Sequence, residues 1–392
     1  MIKNKKTRAY AACLLIVLIL PAFVGCVVSL PVEETEGGLY INGESVDMTV
    51  PESVSYFYDQ LTDAERQIYN ASVAALERGA CEFELVGVDC DEYGAACQRA
   101  IEALLRDHPE FFWIDGGCQI KTTKVSGQSE GTIQIVLTSH SYWKKRDLSV
   151  ARKELEDAAI ELIAAANVFT EPYDKVKFVN DWLADNVEYD DDSFLNPSGM
   201  TDAADASVNT VYGTLVERKT LCGGYAYTFS YIMNRLGIET LYITGTTCDG
   251  LHAWNAVRLG GEFYYIDVTW ADDNQSGNVI YSYFCLDGEE MSRTHTADDL
   301  FAYPTATANE YNYYLREGLY LESYSFNKYS SLFSEHRHEE DFSVKFPNEV
   351  VLNAAVREII ENSKFYKLEG MESAGTFSYV VDDVHHILTL YP

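Results

Sequence analysis

The chain has 392 residues, enough for two or three domains with cores of their own. Acidic side chains outnumber basic ones by 61 to 29, a formal net charge of −32 that speaks against nucleic acid and anionic lipid as partners. With 47% hydrophobic and 13% aromatic residues, the composition is globular.

At the N-terminus Lys3, Lys5, Lys6 and Arg8 precede the apolar run "AYAACLLIVLILPAFVGC". The stretch ending "FVGC" resembles a bacterial lipoprotein signal, which implies a signal peptide over 1–26 with Cys26 as the lipidated residue. Phe23 departs from the leucine usual at its place. The apolar run also continues to Leu30, roughly long enough to span a bilayer uncleaved. A signal anchor and ordinary secretion therefore stay open. Every version puts the body outside the cytoplasm, lipid-anchored on the extracellular face of a bacterial membrane or secreted.

Residues 27–50 read as a polar tether, followed by an α/β packing domain over 51–148. There "TDAE" is a capping box at residue 62 opening an amphipathic helix. A second helix over about 92–107 stops at "DHPEFFWID", where Pro109 forbids continuation. "GTIQIVLTSHSYW" alternates like a strand. Helices near 149–167 and 171–187 open the next unit, 149–300, the second with Thr170 as its cap and Pro172 in its first turn. The remainder, 301–392, is a small α/β element with a helix near 348–362 and closing strands "TFSYVV" and "HHILTLYP".

The chemistry lies in 149–300. From Tyr225 to Leu236 apolar side chains recur at helical spacing, and Gly237 is a natural stop, so a helix begins at or just after Cys222. A thiol there feels the positive end of the helix dipole, which favours thiolate. Gly223 and Gly224 leave the sulfur open to a carbonyl, and the Cys222 N–H could point at a developing oxyanion. A buried cysteine on an ordinary helix would show the same stripe, so partners are needed.

"LHAWNAVRLGGEFYYIDVTW" supplies them. A two-residue turn at Gly260–Gly261 pairs Leu259 with Glu262, Trp254 with Asp267 and His252 with Thr269. His252 and Asp267 then share one sheet face as diagonal neighbours whose side chains can meet. A one-residue slip would move Asp267 to the other face.

At these residues the chain resembles the transglutaminase-like superfamily, related in fold to papain-like cysteine proteases. The likeness is carried by "GTLVERKTLCGGYAYTFSYIMNRLGIETLYITG", "HAWNAVRLGGEFYYIDVTWADD" and the upstream "FVNDWLADNVEYDD", roughly 170–275. It implies Cys222 as nucleophile, His252 as general base and then acid, and Asp267 as orienter. The region with "DHPEFFWID" is similar to N-terminal parts of surface lipoproteins of this type. The chain lacks the sandwich and barrel domains that accompany animal transglutaminases, which argues against calcium dependence and crosslinking.

The expected fold is α+β: a transglutaminase-like, papain-like core with the Cys222 helix on an antiparallel sheet, an N-terminal helical domain and a small C-terminal α/β element. The expected function is an extracellular, membrane-anchored cysteine enzyme acting on peptide or isopeptide amides through an acyl-enzyme, with hydrolysis favoured over amine transfer. The alternative is a non-catalytic surface binding module. The expected partner is a protein or peptide substrate; no cofactor, metal or nucleic acid is expected. His336 and His338 in "EHRHEED" read as a solvated charge run, and "YDDDS" at 189–193 lacks EF-hand spacing. His385 and His386, read as strand neighbours, would point to opposite faces. Of the cysteines past Cys26, Cys81, Cys90, Cys97, Cys118, Cys222, Cys248 and Cys285 make an odd set without a CxxC pair. A Cys248–Cys285 bridge is expected, with the first four free to pair among themselves.

Overall fold

The computed structural model describes residues 38–46, 56–124, 130–195, 207–272, 279–338 and 341–391. The signal over 1–26, Cys26 included, and tether residues 27–37 and 47–50 lie outside the described residues. Residues 38–46, expected in the tether, instead form a hairpin of β1 (Gly38–Ile41) and β2 (Glu44–Val46). Its turn residues Asn42 and Gly43 both have positive φ, and Leu39 and Ile41 alternate inward to bury.

The hairpin extends a sheet that the sequence reading missed except for one strand. Helix α1 (Asp63–Glu77) starts at the expected capping box, with Thr62 accepting from the Glu65 N–H and Glu65 taking the Thr62 N–H. Then come β3 (Glu82–Asp89), α2 (Tyr93–Asp107), β4 (Ile114–Lys124) and β5 (Glu130–Ser139). The sheet runs β2-β1-β3-β5-β4, antiparallel throughout. The expected N-terminal helical domain is thus helices on a sheet. Cys97 of α2 and Cys118 of β4 are neighbours where helix and sheet meet, near enough for each thiol to act on the other.

Helices α3 (Leu148–Ala166) and α4 (Pro172–Asn186) follow. The cap of α4 is Glu171, not Thr170, because Pro172 takes the first helical position and fixes the residue before it as the extended cap. Helix α5 (Cys222–Arg235) packs on a second antiparallel sheet of β6 (Thr240–Thr247), β7 (Gly250–Leu259), β8 (Glu262–Ile266) and β9 (Thr296–Ala297), ordered β8-β7-β6-β9. The buried Asn255 amide pins the two layers, donating to the carbonyls of Ala226 on the helix and Leu241 on the sheet. This is the expected α+β arrangement.

The C-terminal part holds α6 (Phe326–His336), β10 (Phe342–Lys345), α7 (Glu349–Val356), β11 (Ser378–Asp382) and β12 (Ile387–Tyr391), the strands ordered β10-β12-β11. His385 and His386 sit in the turn before β12 rather than in a strand, and His386 has a φ of 58°. This part has its own core, from Tyr314 to Leu390. Residues 39–301, by contrast, share one continuous core across the expected boundary at 148/149. Arg106 of α2 crosses that boundary, donating to Thr244 Oγ1 (2.8 Å) and lying over the Phe301 and Tyr242 rings. Among the described residues no helix is long and apolar enough to cross a membrane.

Candidate active site

Cys222 is the first residue of α5, as its sequence predicts. The cap position is Leu221, which gives the first turn no side-chain hydrogen bond. The two following glycines have separate reasons. A Cβ on Gly224 would lie 1.8 Å from Thr220 Oγ1 and 2.8 Å from Thr214 Oγ1, so this position is a close crossing between the helix and the segment before it. A Cβ on Gly223 would lie 2.8 Å from Asn209 Oδ1; here glycine lets the exposed Asn209 amide rest on the helix start.

The hairpin behind the histidine has the expected register. Gly260 and Gly261 have φ of 60° and 96°, the double positive value of a type I′ turn, and Leu259 faces Glu262. The ladder continues to Asn255 opposite Ile266 and then stops. Asp267 therefore leaves the strand with its own N–H donating to the Tyr283 carbonyl. Its Oδ1 accepts the N–H groups of Thr269 (2.9 Å) and Trp270 (3.3 Å), capping the short turn Thr269–Ala271. Asp267 thus gives one carboxylate oxygen to the turn that follows the strand and the other to His252.

Asp267 Oδ2 receives the His252 Nε2–H at 2.7 Å, and Cys222 is near enough to His252 to act on its imidazole. With Nε2 spent on the carboxylate, Nδ1 is the nitrogen left for the sulfur. The His252 side chain is 8% exposed and that of Asp267 fully buried. Burial alone would disfavour the charged imidazole, but the Asp267 carboxylate, its hydrogen bond and Cys222 outweigh this and push the His252 pKa up to about 10. Burial likewise opposes the Asp267 charge, and the two histidines facing it hold its carboxyl well below the usual carboxylate range. Trp254 shares the His252 face, as alternation requires, at 6.3 Å between ring centroids.

The second histidine was missed. His295 Nε2 donates to the same Asp267 Oδ2 at 3.1 Å, and Thr294 Oγ1 stands 2.8 Å from its Nδ1. It lies 28 residues beyond Asp267, outside the hairpin whose register located the other pair, and only the small strand β9 that follows it brings it to the sheet. The ligand atoms of His252, Asp267 and His295 lie within 4.8 Å of one another, a donor set able to hold a divalent cation, though N–H···O bonds already join them.

Other candidates separate. Cys248 and Cys285, expected to bridge, are both free. Cys248 is exposed in the turn after β6, whereas Cys285 is fully buried. Asp190 of "YDDDS" accepts from Ser193 and pairs with Lys219, so it serves local structure.

Residues 163–268 match the family model described as the transglutaminase-like superfamily. The chain is 26% identical over 132 residues to the human (Homo sapiens) kyphoscoliosis peptidase, covering 31% of this chain and 18% of that protein. It thus spans about a fifth of that relative's length. Among solved structures it resembles a TGase (TM-score 0.29, 17% identity, 41% of this chain and 46% of that one). It also resembles the periplasmic domain of TgpA from Pseudomonas aeruginosa, bound to ethylmercury (TM-score 0.23, 11% identity, 48% and 71%). The matched segment contains Cys222, His252 and Asp267, so the likeness to the transglutaminase-like superfamily falls on the stretch that carries the candidate site.

Proposed function

We propose that this chain is a cysteine-nucleophile enzyme acting on peptide or isopeptide amides, with Cys222 as nucleophile, His252 as base and then acid, and Asp267 as the group that orients His252. The thiolate attacks the carbonyl carbon, the C–N bond breaks, and the His252 imidazolium gives its proton to the departing amine. Water then loses a proton to His252 and attacks the thioester, releasing the acid and restoring Cys222. An amine in place of water would give transfer; hydrolysis is favoured because water is in great excess. The observation that carries this reading is the convergence of a helix-start cysteine, a histidine and a buried carboxylate in one cluster. The uncapped first turn of α5 suits N–H groups directed at an oxyanion. Exposed Leu251, next to His252, and exposed Phe194, ring to ring with Tyr189, offer apolar surface to a polypeptide.

The test is competitive labelling. Limiting iodoacetamide near neutral pH is expected to modify Cys222 before the better exposed Cys248, whose thiol is pushed up by burial and by Asp249. A labelled Cys222 then permits substrate profiling with peptide amides, with and without added amine. Preferential labelling of Cys248, with no turnover of any amide, would make a binding module the better account. The basic and apolar N-terminus further supports a lipid-anchored or secreted location. Incorporation of an alkyne fatty acid that is lost in Cys26→Ser checks the anchor; equal incorporation in both would sink it.

A further inference from the structure

We propose that His295 is a positioning residue of this site: it shares Asp267 with His252 and thereby fixes both the direction and the strength of the carboxylate's pull on the catalytic imidazole. The inference rests on the triad reading above and adds a fourth member to it.

A fully buried imidazole needs partners, and His295 has one on each nitrogen. Its Nε2–H goes to the oxygen that also holds His252, at 3.1 Å against 2.7 Å. Since the other oxygen is taken by two backbone N–H groups, four donors surround the Asp267 carboxylate. It can neither rotate nor offer both oxygens to His252. The His295 ring is itself boxed by Trp270 (4.6 Å), Trp254 (4.9 Å), Tyr283 (5.4 Å) and His252 (5.4 Å).

The backbone holds it to the same rung of the sheet. Thr296, the next residue, pairs with Thr246, and Ala297 pairs with Gly245, which in turn faces His252 across β6 and β7. Gly245 permits this approach, because a Cβ there would fall 2.1 Å from the Thr296 carbonyl oxygen. A histidine placed so closely and paired so fully is more than filling. Without its N–H, the charge on Oδ2 falls undivided on His252 and the carboxylate gains freedom to turn.

The experiment uses the full chain and needs no natural substrate. The burst of acylation of Cys222 by p-nitrophenyl acetate is measured, with Cys222→Ser as background, alongside a histidine NMR titration of His252. His295→Phe is expected to slow the burst by about 10- to 100-fold, as small misplacements of catalytic groups do. It should also move the His252 midpoint upward. His295→Gln, which can return an N–H to Oδ2, should restore most of the rate and the midpoint. No Cys222-dependent burst in the wild type would overturn the triad reading itself. A wild-type burst that persists unchanged in folded His295→Phe would overturn the role of His295 alone. Equal slowing in both variants with an unmoved His252 midpoint would mark simple packing and also overturn it. Should His295→Phe fail to fold, Thr294→Val, which frees only Nδ1, decides: unchanged rate and midpoint there would overturn the proposal.

Discussion

Asp267 is a carboxylate that no neutral side chain of its shape can replace. Asparagine would keep an acceptor for Thr269 and Trp270 but turn an amino group toward two N–H donors, forcing a histidine into another tautomer. Asp267→Asn is therefore expected to lower turnover by about 10²–10⁴-fold, as loss of a triad orienter does. Stability supplies a second readout. The His252 pKa is raised to about 10, so its stabilising share is fully present below its unfolded value near 6.5 and is lost as pH climbs through about 10. Asp267 is held low, so its share is present above about 3.9 and is lost only in acid. The difference in urea midpoint between wild type and Asp267→Asn should be widest between about pH 4 and 6.5 and narrow toward pH 10. A gap that stays constant across this range would remove the charge pairing as its cause.

The start of α5 shows how local sequence and tertiary contact divide the work. The helical stripe, the glycine stop and the two-glycine turn are all short-range signals: the stripe marks Cys222 at the helix start, and His252 and Asp267 follow by counting the hairpin register eight residues back and six forward from the turn. The reasons for Gly223 and Gly224 were not legible, since they depend on Asn209, Thr214 and Thr220 crossing the helix start. The two positions should consequently differ. Gly224→Ala meets the short, buried Thr220 and is expected to cost about 1–3 kcal/mol, the usual penalty for overpacking. Gly223→Ala meets the end of an exposed side chain that can move, and should cost clearly less. Urea denaturation of both variants checks the order; equal losses would mean that the Thr220 crossing is not the constraint.

Across the whole chain, no short-range sequence signal shows that the residues before and after 148 share a core. Phe112, from the segment leading into β4, touches Trp143 (4.9 Å) and stacks on Tyr212 (5.0 Å), just ahead of the segment that carries Thr214 and Thr220 toward the nucleophile. Such contacts join residues far apart in sequence and leave no periodicity to read. The same holds for β1 to β4, which are too short or too bulged to announce themselves: β4 slips register between Ile114 and Cys118 and β3 between Val86 and Val88. The C-terminal part closes a core of its own, from Tyr314 to Leu390.

The contact between Cys97 and Cys118 carries a consequence for the chain's covalent topology. Two neighbouring thiols, one on α2 and one on β4, can exchange with a small disulfide such as oxidised glutathione. One sulfur–sulfur bond forms in the protein, the reagent's bond breaks, and two small thiols leave. The product would close a ring of about twenty residues through the N-terminal sheet, removing freedom from the unfolded chain worth about 3 kcal/mol. Peptide mapping without reductant is expected to recover Cys97 joined to Cys118, with an intact mass about 2 Da lower and a higher urea midpoint than the reduced form. Linkage of either cysteine to Cys81 or Cys90 instead would refute the pairing. In its ringed state the chain would be a knotless lasso whose loop carries Arg106, the side chain that reaches Thr244 of the second sheet, so an oxidant would tighten the scaffold on which the candidate site rests.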